Sequence, residues 1–382
     1  MRSKVITFPN KTRHSRESLY WVFMICVALI VIELCSSIIL LYRYRLTSPG
    51  TSTFADEPSY LSSINLAYKA FRKAGLVGHT PTSAKPEYEY RTSSDPDPFL
   101  VDDDRLGYGA MPGVYTHMYF RRKWGEDAAW EKFPVKVTIT EDSSRWTGDR
   151  SQNNLPKVFV IGDSCVFGSG VNDEQTFSYH LQSYFPEKEV KLYAMGGYAL
   201  GQTYLRFLQL KQDMKEGDTI ILGYADFYDR RNVASPEWMK NVHEWLKKWE
   251  PNAIDIKRTV PRISLNKTNQ IEVDYVQQNC KFNQDYCEGV GPTPEEQTEV
   301  SVAIINFIAT NTAAQVYVLH FLGSGENPLR SKLSQRVKLI SALKKDFGYF
   351  VWDDIEGFDP HPGPYWHYAI SRLLIGALSD GN

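Results

Sequence analysis

VFVIGDSCVFG, residues 158–168, is the stretch that decides the fold. A short apolar run rich in β-branched residues ends abruptly at Gly-Asp-Ser, which predicts a buried strand and then a turn at the carboxyl edge of a sheet. Ligands bind at that edge in open α/β sheets, so we expect the Ser164 hydroxyl to face a cleft. Asp163 can tie the turn through side chain–backbone hydrogen bonds. A Gly-Asp-Ser turn alone is common at strand ends, so its meaning depends on the rest of the chain.

Length and composition indicate a large globular chain. Its 382 residues are enough for one large α/β domain with attachments. The formal net charge of -2 supplies no basic field, and we therefore expect no nucleic-acid partner. The 9 Trp and 23 Tyr suit a surface that faces carbohydrate, although residue by residue they are more typical of an ordinary core and rim.

Residues 19–41 form an almost uninterrupted hydrophobic stretch, LYWVFMICVALIVIELCSSIILL, which is long enough to cross a bilayer as a helix. Five Lys or Arg residues precede it and only Arg43 and Arg45 follow closely, so the positive-inside bias predicts a cytoplasmic tail, 1–18, and an extracytoplasmic (periplasmic or lumenal) remainder. The run is too long for a signal-peptide core, which favours an uncleaved anchor. Glu33 is either a protonated carboxyl or a contact with a partner membrane protein.

The rest of the chain divides by pattern. Residues 42–98 are polar and punctuated by Pro, Ser and Thr, which predicts a stalk. Residues 99–155 alternate in a strand-like way and predict a small β-rich lead-in. Residues 156–379 alternate strands and helices as a doubly wound sheet does, with an insertion at 255–292. Near the end we predict a helix over 330–345, a strand over 349–352 and a helix over 365–378.

The insertion carries two cysteines, Cys280 and Cys287, in a polar loop. Outside the cytosol such a pair predicts a local disulfide. A metal site would need more ligands than this loop offers, and we expect neither a metal ion nor a cofactor. Cys165, beside Ser164, is expected to point into packing.

A second motif, DDIEGFDPHPGP at residues 353–364, follows the last predicted strand. Its Pro/Gly-rich loop is expected to bring His361 to the same sheet edge as Ser164. Asp359 can orient the imidazole and stabilise its cation, as a carboxylate does in nucleophile–base–orienter sets. Taken alone the loop is more typical of a structural histidine, but with the Gly-Asp-Ser turn it predicts a catalytic set.

Together these motifs resemble those of the SGNH, or GDSL, hydrolase superfamily of esterases and acyltransferases, over residues 156–379. Three family blocks find counterparts: Gly162, Asp163, Ser164 and Gly168 for the first, Gly197 (with Gly196 as rival) for the second, and Asp359, His361 and Pro362 for the last. The resemblance implies a three-layer α/β/α sandwich with a mostly parallel five-stranded sheet. It also implies that His361 deprotonates Ser164 and that the N–H groups of Ser164 and Gly197 bind the oxyanion.

Two positions depart from the family pattern. Gly223-Tyr224-Ala225-Asp226 stands where the family has Gly-x-Asn-Asp, so Ala225 replaces a side chain that donates to the oxyanion. A lost donor can cost a few kcal/mol of transition-state stabilisation. Either another group gives support or the site is slow or inactive; the candidates for substrate or oxyanion support are Gln202, Asp226 and Asn232. Asp359 is also one residue closer to His361 than is usual, which leaves Asp354 as the reserve orienting carboxylate.

Three functional hypotheses remain open at this point. The first is a membrane-anchored ester hydrolase or O-acyltransferase that acts on acyl esters of a cell-surface glycan through an acyl-enzyme, with acetyl as the expected acyl group. The second is a lipid esterase in the same membrane. The third is an inactive module of the same fold that binds polysaccharide or scaffolds its assembly, for which Ala225 is the main support. His320, at the end of a predicted strand, is interpreted as a core or rim residue.

Overall fold

The computed structural model describes residues 88–123, 129–149, 154–249, 259–322, 329–342 and 361–379. The predicted cytoplasmic tail, anchor and Glu33, together with Asp354 and Asp359, lie outside these ranges. Within them, no helix has the length and apolar character that crossing a bilayer requires. The predictions that concern the anchor and the orienting carboxylate therefore stay predictions.

Strands and helices alternate through most of the described chain. The strands are β1 (Tyr88–Asp95), β2 (Leu100–Asp103), β3 (Gly107–Ala110), β4 (Gly113–Lys123), β5 (Glu131–Ile139), β6 (Lys157–Gly162), β7 (Glu189–Ala194), β8 (Thr219–Ala225), β9 (Thr259–Leu265), β10 (Ile271–Gln277), β11 (Gln315–Leu322) and β12 (Val337–Ser341). The helices are α1 (Ser164–Phe167), α2 (Phe177–Tyr184), α3 (Leu200–Leu210), α4 (Tyr228–Asn232), α5 (Pro236–Trp249), α6 (Gln284–Glu288), α7 (Pro294–Thr310), α8 (Leu329–Lys332) and α9 (Pro364–Ser379).

The centre of the fold is a parallel sheet of five strands in the order β12-β11-β8-β6-β7. Every residue of β8 is buried, as are the last five residues of β6. Such continuous apolar strands are expected where helices cover both faces of a parallel sheet. Helix α2 packs against α9, and α3 packs against α7. The predicted α/β fold with a parallel five-stranded sheet is confirmed.

Two antiparallel units precede the central sheet. Strands β1, β4 and β5 form one sheet with β4 in the middle, and β2 and β3 form a separate hairpin. Strand β1 lies within the range predicted as stalk, so the prediction was wrong for residues 88–95. The sequence YEYRTSSD has little apolar content, but its backbone pairs residue by residue with β4, from Tyr88↔Lys123 to Asp95↔Thr116. Pairing with a partner strand outweighs weak local preference in such cases.

Backbone pairing at Arg145 joins the antiparallel sheet to the central one. Arg145 forms antiparallel bridges with Ile139 of β5 on one side and with Leu192 of β7 on the other. Its backbone N–H donates to the Leu192 carbonyl at 2.8 Å, and the next N–H, that of Trp146, donates to the Thr138 carbonyl at 2.8 Å. The antiparallel sheet therefore extends the parallel sheet beyond its β7 edge.

The carboxyl-terminal part of the sheet differs from the prediction. The helix expected over 330–345 is wrong: α8 ends at Lys332, and residues 337–341 form β12, which pairs in parallel with β11. The segment contains good helix formers, but intrinsic propensity is a weak prior that tertiary pairing overrides. The strand predicted at 349–352 lies outside the described residues. The last predicted helix is confirmed as α9.

The insertion forms an antiparallel hairpin, β9–β10, followed by two short helical turns. Cys280 and Cys287 form the predicted disulfide, with their Cα atoms 5.8 Å apart. The hairpin packs towards the lead-in: the Tyr275 hydroxyl donates to the Arg105 carbonyl at 2.7 Å. A Cβ atom built at Gly107 would lie 2.3 Å from the Thr259 carbonyl oxygen, so β3 and β9 are in close backbone contact.

Candidate active site

Ser164 is the first residue of α1, at the point where β6 leaves the sheet. Asp163 caps this turn, as the sequence predicts: its Oδ1 accepts from the N–H groups of Cys165 at 2.9 Å and Val166 at 3.3 Å. Val166 packs onto two strand ends, because Cβ atoms at Gly162 and Gly223 would lie 2.5 and 2.3 Å from its Cγ2. Ser164 is 9% exposed. A rigid, close-packed turn thus presents its hydroxyl at the carboxyl edge of the sheet.

Arg145, in the lead-in, binds the loop that follows Ser164. Gly168 has φ +84, and its N–H returns to the Ser164 carbonyl at 3.0 Å. The buried guanidinium of Arg145 donates to Asp173 Oδ1 at 2.9 Å. It also donates, at 2.7–2.8 Å, to three backbone carbonyls of this loop, those of Phe167, Gly168 and Val171. The sequence carries no signal for this role, because a buried arginine is locally indistinguishable from an exposed one.

His361 interacts electrostatically with Asp163, the residue before Ser164. Burial raises the pKa of Asp163, and four nearby groups oppose that shift: the charge of Arg231, the Tyr228 hydroxyl, an electrostatic interaction with His361 and the Val166 N–H. His361 is half-buried and immediately precedes α9, which begins at Pro364. Trp366, in the first turn of α9, packs edge to face on Phe321 near the carboxyl end of β11, with ring centroids 5.9 Å apart. The segment that begins α9 therefore lies at the carboxyl edge of the sheet, and the pairing of His361 with Ser164 stays a prediction.

The glycine loop after β7 borders this turn. The Met195 N–H donates to the Gly162 carbonyl at 3.3 Å, which links the end of β7 to the end of β6. Gly197 has φ +80, a region that L residues rarely adopt, and a Cβ there would lie 2.5 Å from the Tyr108 hydroxyl. A Cβ at its rival, Gly196, would meet nothing within 4 Å. The requirement for glycine is therefore at Gly197.

The third loop at this edge holds a histidine–carboxylate pair. His320 Nε2 lies 2.9 Å from Asp226 Oδ1, and the imidazole and carboxylate side chains are 7% and 30% exposed. His320 sits near the carboxyl end of β11, and its ring lies 5.1 Å from that of Tyr224. Ala225 is fully buried, so its methyl group contributes packing at the position of the missing amide. Of the three candidates for support, Asp226 is the one that lies at this edge with part of its carboxylate exposed.

Asn232 is committed to structural hydrogen bonds, which corrects the prediction that it supports the oxyanion, whereas the support predicted from Gln202 stays a prediction. Gln202 Oε1 accepts from the Ala199 N–H at 3.1 Å and so caps α3. Asn232 Oδ1 accepts from the Gly201 N–H at 3.0 Å, and its Nδ2 donates to Ser301 at 2.8 Å. Both side chains are buried, and Asn232 joins α3 to α7. Cys165, as predicted, is buried in packing.

Neither a protein-family model nor a curated protein matches the sequence. Solved structures with a similar fold are found. The esterase EstA of a Pseudoalteromonas species is 9% identical, with a TM-score of 0.33, over 59% of this chain and 97% of that one. A putative lipolytic G-D-S-L protein of Desulfitobacterium hafniense is 12% identical, with a TM-score of 0.30, over 57% and 97%. A salicylyl-acyltransferase from a tetracycline biosynthetic pathway is 12% identical, with a TM-score of 0.30, over 77% and 80%. The chain is thus similar in structure to an esterase, to a putative lipolytic protein of the G-D-S-L family and to an acyltransferase.

Proposed function

We propose that this chain is a serine ester hydrolase or O-acyltransferase of the SGNH type. The observation that supports the proposal is a shared sheet edge: Ser164 stands on a capped turn at the carboxyl edge, and α9, which His361 closely precedes, packs Trp366 against Phe321 near the carboxyl end of β11, with ring centroids 5.9 Å apart. In this reading Ser164 is the nucleophile, His361 the general base and Asp359 the orienting carboxylate.

The chemistry follows from those roles. His361 takes the proton of the Ser164 hydroxyl as the oxygen attacks the ester carbonyl, and it then gives that proton to the leaving alcohol. The resulting acyl-enzyme is resolved by water or by a sugar hydroxyl, which enters with His361 again as base. The backbone N–H groups of Ser164 and Gly197 stabilise the oxyanion.

The missing side-chain donor sets an expected rate. Ala225 offers no hydrogen bond, so the oxyanion relies on backbone donors. Removal of one such donor lowers kcat by about 100- to 1000-fold in other acyl-transfer enzymes. We therefore expect a slow enzyme unless Asp226, 2.9 Å from His320, contributes by orienting the substrate.

The substrate proposal is an acyl ester, acetyl by preference, of a cell-surface glycan. Residues 19–41 would anchor the chain, with residues 1–18 in the cytoplasm and the site outside it. The Cys280–Cys287 disulfide supports an oxidising compartment, because disulfides are rare in the cytosol. Glu33, within the anchor, would contact a partner membrane protein. Tyrosine and tryptophan, at 23 and 9 residues, suit a carbohydrate substrate.

The direct test is active-site labelling of the full-length chain with an alkyl phosphonate, together with turnover of acetyl esters. Wild type and the control Ser183→Ala, which removes an exposed hydroxyl from α2, should label and turn over ester. Ser164→Ala should do neither. Labelling that survives in Ser164→Ala would remove Ser164 from its role. An inert wild type that still binds polysaccharide would favour the binding-module alternative, and a preference for long-chain esters would favour a lipid esterase.

A further inference from the structure

The hairpin β2–β3 makes a reciprocal contact with the glycine loop after β7. Tyr108 of β3 is buried, and its hydroxyl donates to the Gly196 carbonyl at 2.7 Å. In return the Tyr198 hydroxyl donates to the backbone carbonyl of Tyr108. The two rings meet edge to face with centroids 5.3 Å apart. Each element therefore fixes the other through a hydrogen bond and a ring contact.

The bond to Gly196 also orients the neighbouring N–H. The Gly196 carbonyl and the Gly197 N–H belong to one peptide unit, which is planar, so a trans unit points them in opposite directions. With the oxygen held at Tyr108, the N–H is aimed away from the hairpin. A hydrogen bond to the carbonyl further polarises the unit and strengthens its N–H as a donor.

Space and backbone conformation at Gly197 fit the same arrangement. Its φ of +80 excludes most side chains, and a Cβ would lie 2.5 Å from the Tyr108 hydroxyl. The hydroxyl thus occupies the volume that a larger residue would need. Any substitution at Gly197 would displace the group that holds the preceding carbonyl.

We propose that Tyr108 is a positioning residue, whose hydroxyl anchors the Gly196–Gly197 peptide so that the Gly197 N–H points at the oxyanion. The proposal rests on the proposed function, because it assigns a role within that same site. Preorganised donors are worth most where they need no rearrangement during the reaction. Since Ala225 supplies no side-chain donor, the aim of the Gly197 N–H carries more of the stabilisation.

The hairpin is itself held rigidly enough to serve this purpose. Leu106 is fully buried, and its N–H and that of Arg105 both donate to Asp103 Oδ1, at 2.7 and 2.8 Å. On the far side β3 lies against β9, where Gly107 approaches the Thr259 carbonyl. The β-rich lead-in, whose purpose the sequence did not reveal, thus supplies a buried hydroxyl on a supported strand.

The test compares Tyr108→Phe with the matched control Tyr115→Phe in the full-length chain. Both tyrosines are buried, at 4% and 3% exposure. The Tyr115 hydroxyl donates to the Met111 carbonyl at 2.9 Å, so the control loses an equivalent bond away from the glycine loop. We expect Tyr108→Phe to lower kcat for an acetyl ester by about 10- to 100-fold, less than complete loss of a donor. KM should stay within about twofold in both variants, and kcat of Tyr115→Phe should match wild type.

An ester whose carbonyl oxygen is replaced by sulfur supplies a second readout, which a purely structural role of Tyr108 would leave unchanged. A thiocarbonyl accepts hydrogen bonds poorly, so wild type should prefer the oxygen ester strongly, and Tyr108→Phe should prefer it less. If Tyr108→Phe fails to fold, Tyr198→Phe loosens the same contact from the other side and should show the same reduced preference.

The outcomes separate the two proposals. Equal kcat in Tyr108→Phe and Tyr115→Phe, a change confined to KM, or an unchanged oxygen-to-sulfur preference overturns the role of Tyr108 and leaves the enzyme proposal intact. Full activity in Ser164→Ala overturns the proposed function instead. A wild type that neither hydrolyses ester nor takes up phosphonate overturns both.

Discussion

Replacing Arg145 with methionine should destabilise the protein by about 3–5 kcal/mol, the usual cost of leaving one partner of a buried ion pair alone. The guanidinium and the Asp173 carboxylate are both fully buried, with Nε and Oδ1 2.9 Å apart. After the substitution Asp173 Oδ1 would keep the Thr138 N–H, at 3.1 Å, as a partner, but the charge would remain without a cation. Three loop carbonyls that accept from Arg145 would also lose a donor. Methionine preserves most of the volume, so a cavity contributes little.

Urea unfolding of the full-length chain near neutral pH measures this loss. The double variant Arg145→Met/Asp173→Asn also removes the unpaired charge of Asp173 and should recover about half of the lost unfolding free energy. Lys136→Met is the control: its ion pair with Glu174 is 3.9 Å long, with side chains 54% and 43% exposed, and should contribute less than about 1 kcal/mol. If Arg145→Met costs no more than Lys136→Met, or if the double variant is less stable than the single one, the reasoning is refuted.

The disulfide, a buried histidine and Gly197 each offer a further test. Removal of the Cys280–Cys287 bridge, which has a sequence separation of 7, should cost about 2–2.5 kcal/mol by loop entropy, read from the unfolding midpoint of the double serine variant. Burial lowers the pKa of His180 from 6.5 to about 4, so the unfolded chain binds its proton first as pH falls. Protonation of His180 should contribute about 2 kcal/mol to the loss of stability between pH 7.5 and 5, so His180→Gln should lose about 2 kcal/mol less than wild type over that range; an equal loss contradicts the assignment. Gly197→Ala should abolish ester turnover, because its Cβ would lie 2.5 Å from the Tyr108 hydroxyl. The variant should still fold, as measured by circular dichroism without phosphonate. Wild-type turnover in that variant would exclude a role for the loop.

The sequence predicts best those parts of the fold that depend on local pattern. The apolar runs of β6 and β8 stand out because both faces of a parallel strand are buried, and each run ends at a recognisable turn. Asp163 caps the Ser164 turn through residues at most three positions away, so that contact can be predicted from the local sequence. The disulfide follows from two nearby cysteines in one loop.

Other parts depend on partners that are distant in the chain. Strand β1 is polar and exists through pairing with β4, and β12 has a helix-like composition that pairing with β11 overrides. Asn232 resembled an oxyanion donor, but whether an amide faces a cleft or a neighbouring helix depends on packing that sequence does not display. The contact of Tyr108 with Gly196 spans 88 positions and has no motif.

The bridge at Arg145 has a consequence for solubility. A parallel sheet ends in strands with unpaired backbone groups, and an apolar strand in that position recruits extended segments of other molecules. Here β7 passes its hydrogen bonding through Arg145 to β5, β4 and β1, so that in the described part of the chain the outermost strand on this side is YEYRTSSD. Charged and hydroxyl side chains on such a border discourage further addition. A fragment that starts after residue 149 would uncover the β7 border, and self-association should follow.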